Sequence, residues 1–132
     1  GLGDVYKRQL VYLFVALGGA TGALCRFAIS NAIASRESTV LPLGTLVVNL
    51  IGAFFIGFLI VVISEKLAVS THWRVFLIAG LLGSLTTFST FSLELVEMLN
   101  SGQWLTAMTY ILLSVVLCII LVIAGMSLAR MI

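Results

Sequence analysis

Charge is what this chain has least of. Seven Lys or Arg and five Asp or Glu make up only 9% of its 132 residues. Soluble domains carry about 25% charged residues, and so few leave the surface of a small protein without polar cover in water. Hydrophobic residues reach 61%, with a mean hydropathy of +1.25. The expected solvent is therefore a lipid bilayer. A net charge of +2 gives no field to attract nucleic acid or another polyanion. His72 is the only histidine, which excludes a His-based metal or catalytic site. The two cysteines, Cys25 and Cys118, lack CxxC spacing and sit in apolar runs, so they read as free, buried thiols rather than a disulfide framework. Disorder is excluded by the same apolar excess.

What the chain has instead is length of apolar run. A helix needs about 20 mainly apolar residues to cross a hydrocarbon core of about 30 Å. Four such stretches can be drawn, at 10–33, 43–64, 74–99 and 104–129. Turn and charge signals separate them: Ser35-Arg36-Glu37-Ser38 with Pro42, then Glu65-Lys66 through His72, then Asn100-Ser101-Gly102-Gln103. Tyr12, Trp73 and Trp104 fall near span ends, where interfacial aromatics belong. Residues 1–9 are polar, begin without Met and read as a tail, native or not, beside a single four-helix domain at 10–132. No cleavable signal peptide is evident. Lys66, Arg74 and Arg130 lie on the side of the termini and Arg36 on the other, a bias small enough for insertion in both orientations.

The third span is unusual. Gly80, Gly83, Ser84, Thr86, Thr87, Ser89, Thr90 and Ser92 crowd its middle. Two readings stand: a small-residue helix packed tightly on its neighbours, or a helix broken at membrane depth, whose freed carbonyls and amides make ion sites. On the first span, Gly18, Gly22 and Arg26 form one stripe at i+4 spacing. Arg26 either snorkels or caps a helix, or attracts an anion. Asn49 lies deep in the second span, as an interhelical hydrogen bonder or as an ion contact, with Gly52, Ala53 and Gly57 as a close-packing face. Phe88 and Phe91 are core residues or, since phenyl rings have positive edges, contacts for a small anion. Thr106, Tyr110, Ser114 and Cys118 recur at i+4 on the fourth span, as a polar track or as hydroxyls bonding back to i−4 carbonyls. Glu94 and Glu97 reach interface water or act as protonation sites. No nucleophile, base and orienter can be assembled, so an enzyme is not expected.

Three motifs together carry a resemblance. The run Gly83-Ser84-Leu85-Thr86-Thr87-Phe88-Ser89-Thr90-Phe91-Ser92 resembles the third-helix signature of Fluc-type (CrcB-like) fluoride channels. Gly44-Thr45-Leu46-Val47-Val48-Asn49 with Gly52 resembles that family's second-helix motif, and the run from Gly18 to Phe27 its first helix. The likeness covers residues 10–129 in order.

The resemblance implies an all-α integral membrane protein of four transmembrane helices, the third broken at mid-membrane, assembled as an antiparallel, dual-topology homodimer. It implies passive fluoride export across a bacterial inner membrane, relieving fluoride toxicity. A structural Na⁺ would be held by the carbonyls of Gly83 and Thr86, and the fluoride pathway by Asn49, Phe88, Phe91, Ser89, Thr90, Tyr110, Ser114 and Arg26. Ser84 replaces a second glycine of many members, and Val116 stands where a further hydroxyl can occur. Two rivals remain. A small dual-topology multidrug exporter needs a carboxylate in its first span, where this chain has Arg26 and no acid. A non-transporting scaffold subunit would pass no ion at all.

Overall fold

The computed structural model describes residues 1–35 and 41–132. Arg36, Glu37 and Ser38 of the expected first connection lie outside the described residues. The chain is all-helical among them, with four helical stretches long and apolar enough to cross a membrane. Helix α1 is Leu2–Ala34 and α2 is Leu43–Lys66, the latter closing in a π-helical turn at Val62–Lys66. The third stretch, Thr71–Asn100, is divided. Its first part, α3 (71–85), starts at Thr71–Arg74, widens into π-helix at Val75–Leu82 and ends in Gly83–Leu85. Its second part, α4, is Phe88–Asn100, and α5 is Trp104–Met131.

Local chemistry explains most boundaries. Pro42 precedes α2, where its missing N–H costs no helical bond. The Ser70 hydroxyl caps α3 by accepting from the Trp73 amide. Gly102, at φ +76°, ends α4: the Gln103 amide reaches Met98 O at 2.8 Å and the Gly102 amide reaches Leu99 O at 3.1 Å. That Schellman closure places the turn where the Asn-Ser-Gly-Gln signal predicts it. The start of α1 differs from expectation, because residues 2–9 continue the helix. Lys7, Arg8 and Gln9 are good helix formers, and once the apolar segment has nucleated a helix each further residue adds a bond at little cost.

Glycines set the packing. Gly18 and Gly22 of α1 lie against the carbonyls of Phe76 and Leu81, and Gly80 answers from α3, where a Cβ would stand 2.9 Å from Gly18 Cα. The stripe on α1 thus seats the π-helical stretch of the third span. On the other side, α2 crosses α5 through Gly57 and Gly125, each set against a backbone carbonyl of the other helix. Leu46, Phe91, Met98, Ala107 and Tyr110 fill one core between α2, α4 and α5. Val48, Leu82 and Leu85 form a second between α2 and α3. Leu105, Leu112, Ile119 and Ile123 stay exposed along α5, as lipid-facing residues do. Phe14 meets His72 and Trp73 while Arg130 lies 3.8 Å from Glu65, which brings the two termini to one end of the bundle.

One expectation is corrected here. Cys25 is exposed and Cys118 half-buried, so Cys25 is not a buried thiol. Apolar neighbours in sequence mark contact with lipid as readily as burial in a core.

Candidate functional site

The feature that organises the site is the interruption at Thr86 and Thr87. Both residues are extended, with φ/ψ of −85°/156° and −150°/121°. In an unbroken helix the Thr87 amide would close on Gly83 O and the Thr90 amide on Thr86 O. Neither does. Thr87 N–H donates to Asn49 Oδ1 at 2.8 Å, and Thr90 N–H donates to Thr87 Oγ1 at 3.2 Å. The carbonyls of Gly83 and Thr86 are thereby released from their ordinary partners. Asn49 completes the exchange by donating from Nδ2 to Thr87 O at 3.1 Å. The carbonyl end of α3 and the amide end of α4 consequently meet beside one another, negative and positive helix ends in one place.

A cavity of about 430 Å³ opens at this point. Asn49, Gly83, Thr86, Thr87, Phe88, Phe91 and Ser114 line it, together with apolar side chains of α2, α3 and α5. The two phenyl rings differ: Phe91 is 7% exposed and Phe88 79%, their centroids 5.7 Å apart. Ser114 is buried, and its hydroxyl has no hydrogen-bond partner among the described residues. Among the described residues, His72 Nε2 is the only other buried side-chain atom in this state. Thr21, Thr86, Ser92 and Thr109 all donate to the carbonyl four residues back.

Other expected site residues fall around this centre. Ser89 and Thr90 do not line the cavity; their hydroxyls approach Thr87 Oγ1 at 3.3 and 3.1 Å. Tyr110 is fully buried, edge-on to Phe91 at 4.9 Å, and donates to Glu94 Oε1 at 3.4 Å. Glu94 and Glu97 line a second, smaller cavity of about 240 Å³ near the end of α4. Arg26 is not brought to the main cavity; it is half-buried on α1 and makes no ion pair among the described residues. Reasoning from the sequence missed Thr87, the residue with most polar contacts at the break. A Thr directly before an amphipathic run is the ordinary signal of an N-cap, and Thr87 serves as one. Gly52 was read as a packing residue, and it faces Thr86.

Residues 13–126 match the family model described as CrcB-like protein, Camphor Resistance (CrcB). A fluoride-specific ion channel FluC of Hahella chejuensis is 45% identical over 120 residues, covering 91% of this chain and 94% of the relative. Proteins of the same name from Aquifex aeolicus and Sulfurovum sp. are 49% identical over 102 residues and 45% over 118. They cover 77% and 89% of this chain, and 82% and 92% of their own lengths. With a family model spanning most of its length and relatives so similar throughout, this chain belongs to the CrcB-like family.

Proposed function

We propose that the protein is a fluoride-selective channel that lets F⁻ leave a bacterial cell passively across the inner membrane. The observation that carries the reading is the buried Ser114 hydroxyl, left without a partner beside a cavity that also holds Asn49 and two phenyl rings. A buried hydroxyl without a partner costs about 1–3 kcal/mol, so a site that keeps one has a use for it. The names of the relatives support fluoride as the ion.

Conduction is stepwise replacement of water. Asn49 spends one Nδ2 hydrogen and its Oδ1 on Thr87, which leaves one N–H to offer an anion. Ser114 offers an O–H, and Phe88 and Phe91 offer positive ring edges. None of these is a full charge, so each holds the ion weakly enough to release it. Tyr110, Ser89 and Thr90 extend the polar track, and Arg26 contributes positive potential from α1.

The break lies at mid-membrane in this reading, where protein and water cover its freed backbone. The carbonyls of Gly83 and Thr86, both stripped of their helical amides, are hard oxygen donors that fit Na⁺. A bound Na⁺ would supply fixed positive charge and tie the carbonyl ends of the break. Two carbonyls are few for one cation, and an antiparallel, dual-topology homodimer doubles them. The same assembly covers Phe88 and lines each pathway with both subunits.

A flux assay decides the matter. With a potassium ionophore present to carry the balancing K⁺, purified protein in vesicles loaded with potassium fluoride should release F⁻, measured by electrode, while identical vesicles loaded with potassium chloride should retain Cl⁻. Retention of both ions would support a scaffold subunit instead, and equal release of both would remove the selectivity.

A further inference from the structure

We propose that α2 is a splint for the broken third span, with Gly52 and Asn49 as positioning residues that set the backbone of Thr86 and Thr87. The inference rests on the channel reading for its flux measurement but not for its backbone measurement. Asn49 and Gly52 are three apart on α2 and so share a face. They act on consecutive residues. Asn49 grips Thr87 at both backbone groups, taking its N–H at 2.8 Å and donating to its carbonyl at 3.1 Å. One peptide-bearing residue held at two points cannot turn.

Gly52 acts on Thr86 through shape. A Cβ at Gly52 would collide with Thr86 Cγ2, while Thr86 Cβ would remain at an ordinary 3.6 Å. The methyl therefore occupies the space that any other residue would fill. On its other branch, Thr86 Oγ1 donates to Leu82 O at 3.0 Å. The side chain is fixed on both sides, while Asn49 sets the direction of the Thr86 carbonyl, because that C=O shares one peptide plane with the Thr87 N–H it holds. Without α2 the third span has a simpler course: Thr87 N–H returns to Gly83 O, Thr90 N–H returns to Thr86 O, and the helix runs through. Asn49 replaces the first of those bonds and Gly52 leaves room for the extended Thr86 that the exchange requires.

The collision involves one methyl group, so a double substitution isolates it. Fluoride release from phosphatidylethanolamine/phosphatidylglycerol vesicles is compared for Gly52→Ala with Thr86 intact and for Gly52→Ala combined with Thr86→Ser. With Thr86 intact the substitution should slow release by about tenfold or more; measured against Thr86→Ser alone, it should cost about twofold or less. Equal cost in the two backgrounds overturns the proposal, whether that cost appears as slower flux or as lost folded protein. The second readout needs no flux. Exchange of the Thr87 amide hydrogen should quicken by about tenfold or more in Asn49→Leu, and unchanged exchange overturns the role of Asn49. A wild-type protein that passes no fluoride but still shows the Asn49-dependent exchange would sink the channel reading and leave the splint standing.

Discussion

Two glycines of α2, Gly52 and Gly57, serve different purposes. Gly57 and Gly125 of α5 let two complete helices touch, with a Cβ at Gly57 standing 3.0 Å from Val122 Cα and one at Gly125 standing 2.9 Å from Phe58 N. Both stretches are continuous α-helix through that crossing, so the contact is one of packing. At Gly52 the neighbour is a side-chain methyl on a residue that has left the helix. There the same absence of a Cβ goes with a redirected hydrogen bond, and it bears on which carbonyls are released. A small residue in a membrane helix is thus a packing device or a conformational one, depending on what its partner's backbone is doing.

The largest effect should come from breaking the packing contact. Gly125→Leu drives a side chain into the backbone of Phe54 and Phe58, which cannot rotate away. Overpacking of this kind costs about 3 kcal/mol or more when no side chain can yield, and the loss should appear as a lower unfolding midpoint in detergent. A midpoint unchanged from wild type would show that the crossing is looser than its geometry.

The phenylalanines sharpen the other side of that contrast. Phe91→Ile removes the edge contact with Tyr110 and should lower stability by about 1–1.5 kcal/mol, together with fluoride flux. Phe88→Ile, at a ring 79% exposed in the chain, should change the stability of the fold by less than about 0.5 kcal/mol and still lower flux sharply. Wild-type flux in both variants would take the ring edges out of the pathway.

Little change in stability is expected at Ser114→Ala. Its hydroxyl has no partner to lose, so the fold should hold within about 1 kcal/mol or gain slightly, while fluoride flux falls. Thr109→Ala provides the contrast, since that hydroxyl is satisfied by Leu105 O at 2.9 Å and faces outward. A loss of stability at Ser114 larger than that at Thr109 would mean that the cavity hydroxyl is bonded after all.

Much of the site was legible in the chain because it is written in local composition. Hydroxyls and glycines from Gly80 to Ser92 mark a helix with competing hydrogen bonders, and the helix stops within that run, at Leu85. The Gly18 and Gly22 spacing announces a close helix neighbour, though not that the neighbour is a π-helical stretch of the third span. Asn49 invited two readings, and the interhelical bond is observed while its remaining N–H keeps the ion contact open. Thr87 escaped notice because its importance lies in partners, one of them 38 residues away in sequence. Arg26 shares the Gly18 and Gly22 stripe, yet that stripe packs on Phe76, Leu81 and Ser84, while the third span lines the cavity with Ile78, Leu82 and Gly83.

By itself the sequence determined the solvent and the number of spans, and it marked where the third span carries competing hydrogen bonders. Those properties follow from hydrophobic run length and from residue types that act within a few positions of themselves. Only the tertiary structure decided which carbonyls the break sets free and which hydroxyl stays unpaired. A backbone amide leaves its helix only when another acceptor is in reach, and the acceptor here belongs to α2.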